Sequence, residues 1–329
     1  MNWKNKSVLV TGAGGFIGSH LVERLAVEGA AVRALVHYNS RNDPGLLTLL
    51  PSDTLEHVEV LPGDLRDPVA VRQAVEGMDI VFHLGALISI PYSYKHPFHV
   101  AETNIMGTLN VLQACREVGV RRLVHTSSSE VYGTALRVPI DEGHPLQGQS
   151  PYSASKIGAD KLAESYFCAY ELPVATLRPF NTYGPRQSDR AVIPTIITQA
   201  LTQDVVHLGN LDARRDLTYV TDTVAGFIKV SEAANVEGGT YNLGAGSDIS
   251  IGELAEKIIN LVSRSVTIEV DKTRLRPEGS EVQRLLADNT LAKKDLGWEP
   301  RVSLDEGLHR TIEWISDNLD LYQPGRYQV

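Results

Sequence analysis

Short, predominantly apolar runs alternate with amphipathic stretches of helix length along the first half of the chain. The runs fall at Ser7–Val10, Ala31–Val36, Leu55–Leu61, Asp79–Leu84, Arg122–Thr126 and Val174–Arg178. Apolar runs of this length are the pattern of strands covered on both faces of a parallel sheet. Helical periodicity follows the first of them through Ile17, Leu21 and Leu25. It recurs over Pro68–Glu76, Phe98–Val118 and Tyr152–Tyr170. This order predicts an α/β fold with a doubly wound, mostly parallel Rossmann sheet. The aromatic and proline-rich IPYSYKHPF, residues 90–98, reads as a loop over a pocket.

Around Gln187 the alternation weakens. Residues 183–217 and 246–329 read as a smaller α/β C-terminal substrate domain, with a helix at Gly252–Val262. Residues 1–182 form the dinucleotide-binding domain, and 218–245 return to it through Thr218–Ser231 and a strand at Thr240–Leu243. The boundary is therefore interleaved.

Between the first strand and helix lies Thr11–Gly18, TGAGGFIG. Gly12 turns the chain out of the strand. Gly15 lets backbone N–H groups, those of Phe16 and Ile17 among them, approach a pyrophosphate, and Gly18 lets the helix pack against the sheet. The helix N-terminus adds partial positive charge. Strand, glycine turn and helix in this order predict binding of NAD(P). No carboxylate ends the second strand to meet an adenosine ribose 2′-OH. His37, Ser40 and Arg41 stand there instead, which favours NADP slightly over NAD. Asp64, beside Leu65, is placed to meet the adenine amino group. Leu84, Gly85 and Ala86 form a second small-residue turn where backbone approaches the cofactor.

The chain has 329 residues, 43% of them hydrophobic, enough for sizeable cores. Its net charge of −9 argues against a nucleic-acid partner. The two cysteines, Cys115 and Cys168, lack metal-ligand spacing and are expected to be buried small hydrophobes, so no metal is called. No apolar run reaches the length of a membrane span, and the N-terminal residues lack the apolar region of a leader. The expectation is a cytoplasmic protein without a membrane partner. The helices Phe98–Val118 and Tyr152–Tyr170 carry apolar positions on more than one face, which predicts a homodimer.

Tyr152 and Lys156 are spaced i, i+4 on one helical face. A lysine cation there is expected to lower the phenol's pKa and equip it for proton transfer. Ser128, at the end of the fifth strand, is placed to hydrogen-bond the same oxygen. A mere binder of the same fold has no use for this pair.

These residues resemble the extended short-chain dehydrogenase/reductase superfamily. So do RPFNTYGPR, residues 178–186, and Leu296–Trp298. The resemblance implies sugar-nucleotide epimerases, dehydratases and decarboxylases that keep a tightly bound NAD(P). SSSEVYGTA, PYSASKIGADKLAESY, RPFNTYGPRQ and VIPTII are most similar to the 4,6-dehydratases of the legionaminic acid pathway, which implies UDP- or GDP-N-acetylglucosamine as substrate. In that chemistry Tyr152 takes the O4 proton and Glu130 removes the C5 proton. Ser129 stands where the best-known dehydratases carry an acidic Asp, and a hydroxyl is a poor acid. The Ser-Glu pair also resembles UDP-glucuronate decarboxylases, and a 4-epimerase needs only Ser128, Tyr152 and Lys156. The resemblance further places Pro179 by the cofactor and Ser89, Asn181 and Val192 by the substrate. It places Arg215 and Arg276 at the nucleotide diphosphate; the alternative for each is a salt bridge, with Asp216 and with Glu278 or Glu281 respectively.

Overall fold

A computed structural model describes residues 2–324. The first half runs β1 (Ser7–Thr11), α1 (Phe16–Val27), β2 (Ala31–His37), the single-turn α2 (Ser52–Leu55), β3 (Val58–Gly63), α3 (Pro68–Val75) and β4 (Ile80–His83). It continues through α4 (Ile90–Lys95), α5 (Pro97–Ala101), α6 (Gly107–Val118), β5 (Arg122–Thr126), α7 (Pro151–Tyr170) and β6 (Val174–Pro179). Then come β7 (Asn181–Tyr183), α8 (Val192–Thr202), β8 (Val205–Leu208), β9 (Arg214–Tyr219), α9 (Val220–Glu232) and β10 (Thr240–Leu243). The chain ends with β11 (Asp248–Ser250), α10 (Ile251–Val262), β12 (Thr267–Val270), β13 (Arg284–Leu285), α11 (Thr290–Leu296) and α12 (Leu304–Asp317).

Seven strands form one parallel sheet in the order β10-β6-β5-β4-β1-β2-β3. The chain winds outward from β1 to β3, then crosses to β4 on the other side of β1. The crevice beyond the carboxyl ends of β1 and β4 is the topological switch point, where such sheets take ligands. One face is covered by α1 and α9, with Leu21, Leu25 and Phe227 in the core. The other is covered by α3, α6 and α7, with Val71, Leu112 and Ala163. The expected doubly wound α/β fold is the observed one.

A second sheet gathers on β9, which pairs in parallel with β7 and β13 and antiparallel with β11. A separate parallel pair joins β8 and β12. The second sheet keeps Thr218 and Tyr219, so the return toward the first sheet starts with α9.

Four local expectations are corrected. Residues 90–98 are not a loop: Ile90–Lys95 is helical because Ser89 caps it, its Oγ accepting the Tyr92 N–H at 3.3 Å, and Pro91 pre-sets the first turn. The helix expected over Phe98–Val118 contains a π turn at Glu102–Met106. Leu55 belongs to α2, and the third strand starts at Val58. Cys115 is buried but Cys168 is exposed, since it falls on the solvent side of α7.

Candidate active site

The glycine turn is shaped by close backbone approach. Gly12 has φ +69°, and a Cβ there would lie 2.8 Å from both Cα and N of Gly85. A Cβ on Gly18 would lie 2.2 Å from the Gly12 carbonyl oxygen. Only glycine fits either place. Gly15 is the N-cap of α1; no side chain caps the helix and no acidic residue occupies its first turn. The amides at its start, Phe16 and Ile17 included, are therefore free for an anion. Gly85 donates its N–H to Thr11 Oγ1 at 3.0 Å, beside Leu84 and Ala86. Leu65 is wedged close: a Cβ on Gly85 would meet its Cδ1 at 2.7 Å, and one on Gly107 its Cβ at 2.9 Å. A cradle of glycine backbone at a bare helix N-terminus fits a dinucleotide pyrophosphate.

His37, Ser40 and Arg41 are exposed at the end of β2. Asp64 is engaged by Arg66, with Nη2 to Oδ2 at 2.6 Å, and that hydrogen bond holds its carboxyl down at about 2.

The chemical groups meet at the carboxyl ends of β5 and β6. Ser150 starts α7 with a capping box, exchanging hydrogen bonds with Ser153, and Pro151 follows it. This fixes Tyr152 in the first turn. Tyr152 is hydrogen-bonded to Ser128, and the charge of Glu130 acts on it. Glu130 lies in a 3-10 turn over Ser129–Tyr132, capped by Ser128 Oγ, which accepts the Glu130 N–H at 3.2 Å. Ser129 is buried. Lys156 Nζ donates to the Thr126 carbonyl oxygen at 2.5 Å.

One expectation fails here. Tyr152 is not acidified by Lys156. Burial pushes its phenol up to about 12, and the Ser128 hydrogen bond opposes this only in part. The ammonium is committed to the Thr126 carbonyl, and burial brings Lys156 down to about 8.

β9 and the irregular segment after β12 bring two arginines toward Glu130. Arg276 Nη1 lies 3.9 Å from Glu130 Oε1 and 4.0 Å from Glu281 Oε1, and it has no hydrogen-bond partner. Arg215, buried, reaches Glu281 Oε1 from Nη2 at 3.5 Å. The alternative salt bridge of Arg215 with Asp216 is not formed, because Asp216 accepts backbone N–H groups of Ala245, Gly246 and Ala287. Asn181 begins β7 with a buried Oδ1 that lacks a partner. Val192 opens α8, Ser89 caps α4, and Pro179 closes β6 beside the site.

The sequence profile of the GDP-mannose 4,6 dehydratase family matches residues 9–311. The chain belongs to that family. It is 35% identical over 314 residues to a UDP-glucose 4-epimerase of Mycolicibacterium smegmatis, covering 93% of this chain and 97% of that one. It is 32% identical to a dTDP-D-glucose 4,6-dehydratase of Mus musculus, covering 95% and 89%. The solved structure of DesIV, a dTDP-glucose 4,6-dehydratase from Streptomyces venezuelae with NAD bound, superposes with a TM-score of 0.87 at 30% identity, covering 96% of this chain and 99% of that one. These matches place the chain among the extended short-chain dehydrogenase/reductase enzymes that dehydrate or epimerise nucleotide sugars with a nicotinamide cofactor. Among the described residues no group of His, Cys, Asp or Glu could hold a metal ion, and no helix is long and apolar enough to cross a membrane.

Further groups near the site carry no signal in the sequence motifs. Asn104, in the π turn, donates to Leu87 O and Ser155 Oγ and accepts the Leu87 N–H, tying the Gly85 turn to α7. Asp160, His125 and Arg178 cluster beneath Lys156. Asp160 was within reach of sequence reasoning, four residues beyond Lys156. Its partners lie on other strands.

Proposed function

We propose that the chain is a nucleotide-sugar 4,6-dehydratase acting on UDP- or GDP-N-acetylglucosamine. The carrying observation is the placement of Glu130: its charge acts on the Tyr152 phenol, and Arg276 stands 3.9 Å away as a long ion pair, its Nη1 without a hydrogen bond. In this reading Glu130 serves as the base one sugar carbon from the phenol's target, and Arg276 as a cation for the diphosphate.

A bound nicotinamide dinucleotide would supply reversible hydride acceptance for the oxidation at C4 and the reduction at C6. Gly12, Gly15 and Gly18 with Phe16 and Ile17 would hold its pyrophosphate, with Asp64, Leu65, Leu84, Gly85, Ala86 and Pro179 around it. The slight preference for NADP rests on the absence of a carboxylate at the end of β2, where His37, Ser40 and Arg41 are exposed. Tyr152, hydrogen-bonded to Ser128, removes the O4 proton as C4 becomes a ketone. The ketone acidifies C5–H, and Glu130 takes that proton. Ser129 is too weak an acid to assist, so Glu130 passes the proton to the C6 hydroxyl, which leaves as water. A proton returns to C5 when C6 is reduced. Arg215 and Arg276 bind the diphosphate, with Ser89, Asn181 and Val192 lining the sugar and nucleotide. Residues 183–217 and 246–329 form the substrate domain in this reading, and the active form is a cytoplasmic homodimer.

A 4-epimerase is the second reading. Ser129 in place of an acid favours it, and it needs only Ser128, Tyr152 and Lys156. Incubation with a panel of nucleotide sugars separates the chemistries by product mass. Loss of water supports the dehydratase, an unchanged mass with a new sugar supports the epimerase, and loss of carbon dioxide from a glucuronate overturns both. Denaturing the purified protein and identifying the released nucleotide tests the cofactor; NAD alone overturns the NADP preference.

A further inference from the structure

Residues 271–283 link β12 to β13 and carry Arg276. Between its ends this segment makes two 3-10 turns, Lys272–Arg274 and Glu278–Ser280. Its ends are tied away from the central sheet. Asp271 donates its N–H to Leu208 O of β8 at 2.7 Å, and Gln283 O accepts the Arg214 N–H of β9 at 2.8 Å. Its middle crosses to the elements around the reacting groups. Tyr94 OH and Ser280 Oγ lie 2.6 Å apart, with Ser280 buried and Tyr94 half-buried. Thr134 Oγ1 donates to Glu281 O at 3.3 Å, and Gln149 Nε2 to Gly279 O at 3.4 Å. Thr134 and Gln149 are themselves joined, the Thr134 N–H donating to Gln149 Oε1 at 2.6 Å. Each of the three partners belongs to a part of the chain that sets the site. Tyr94 is on α4, which Ser89 caps. Thr134 follows the turn that holds Glu130, and Gln149 precedes Ser150, the cap that fixes Tyr152.

We infer that Tyr94 is a positioning residue for the nucleotide diphosphate: its hydroxyl clasps Ser280 and so holds the segment carrying Arg276 in register with Glu130 and Tyr152. The inference rests on the reading of Arg276 as a diphosphate ligand. Arg276 lies four residues before Ser280, and Pro277 with the turn Glu278–Ser280 stiffens the chain between them. A shift of the turn therefore shifts the guanidinium. Of the three ties across the site, the hydroxyl pair is the short one, and the other two are long for hydrogen bonds. The ion pairs of Arg276 do not replace it. Its Nη1 stands 3.9 Å from Glu130 Oε1 and 4.0 Å from Glu281 Oε1, without a hydrogen bond to either. A guanidinium held so loosely by its neighbours takes its place from the backbone that carries it. A diphosphate bound there fixes how far along the site C4 and C5 of the sugar fall. A misplacement of about 1 Å from the reacting groups can cost about 10²-fold in rate.

The test is made on cofactor-loaded enzyme, with UDP and GDP as probes in calorimetric titration. Tyr94→Phe and Ser280→Ala each remove one hydroxyl of the pair, and the second carries the test if the first fails to fold. Loss of one neutral hydrogen bond should weaken binding of the preferred diphosphate by up to about fivefold. The double variant should bind no worse than either single one, since both report the same contact. Amide exchange over residues 275–281 should quicken in each variant while that of α7 stays as it was. In an Arg276→Gln background, Tyr94→Phe should weaken binding no further, because the segment no longer carries the cation. Unchanged affinity and exchange in the folded variants overturn the inference. So does an equal loss of affinity in the Arg276→Gln background. An Arg276→Gln variant that binds both diphosphates as the wild type does overturns the reading of Arg276 itself, and the inference falls with it.

Discussion

Replacing Glu130 by Gln should separate turnover from folding by a wide margin. The side chains are nearly isosteric, so the 3-10 turn capped by Ser128 is kept. The ion pair lost is a long one, at 3.9 Å, and Arg276 retains Glu281 at 4.0 Å. Stability should therefore fall by about 1 kcal/mol or less. Removing a general base typically costs about 10²–10⁴-fold in rate, equivalent to about 3–5 kcal/mol of barrier. Hydride can still leave C4, because Tyr152, Ser128 and Lys156 are untouched. The variant should show a single-turnover rise in nicotinamide absorbance and then stall at the 4-ketone. Wild-type product formed in deuterium oxide should carry deuterium at C5, and substrate recovered from the variant should not. If the variant exchanges C5 at the wild-type rate, Glu130 is not the base and the dehydratase reading loses its support.

Three further outcomes follow from other parts of the molecule. Gly12→Ala forces a side chain to φ +69° and sets its Cβ 2.8 Å from the Gly85 backbone, so urea denaturation should show a loss of about 2 kcal/mol or more, with reduced cofactor content; unchanged values for both would refute the close-approach argument. Burial raises Asp216 from 3.8 to about 6. A raised folded-state value means that its contribution is full below the unfolded value and lost as pH rises through about 4 to 6. Relative to Asp216→Asn, the wild type should thus lose up to about 3 kcal/mol between pH 4 and 7 by denaturant titration. Phe98, on α5, is 86% exposed, and Met106 in the π turn and Tyr170 at the end of α7 are half exposed. If these side chains carry the homodimer, Phe98→Asp should convert a dimer to a monomer by light scattering, and a wild-type monomer at micromolar concentration refutes the assembly.

The parts of the fold governed by short-range pattern were legible. The strands β1, β2, β4, β5 and β6 are apolar because both their faces are covered, and that shows as a run. The glycine turn was legible because its three glycines answer local demands. Residues 90–98 look like a loop by their aromatic and proline content, but the Ser89 cap and Pro91 start α4 there. The Tyr152 pKa was misjudged for a different reason. The i, i+4 spacing brings Lys156 near, but burial of the phenol and the pull of the Thr126 carbonyl are three-dimensional facts. The meeting of Arg276 with Glu130 joins segments far apart in the chain and leaves no periodic trace. Asp160 had the spacing, but nothing in the sequence said that His125 and Arg178 would meet it.

The position of β10 in the sheet has a consequence for how this chain is made. β6 ends at Pro179, but the strand that covers its open edge begins only at Thr240. The intervening residues build much of another sheet first. At about 5–20 residues per second, the ribosome leaves the β6 edge bare for roughly 3–12 seconds. During that interval an apolar strand with unpaired N–H and C=O groups is exposed to neighbouring chains. Yield in the cell should therefore be governed by this interval more than by the stability of the finished protein. Holdase supply or slower initiation should raise soluble yield where stabilising substitutions elsewhere do not.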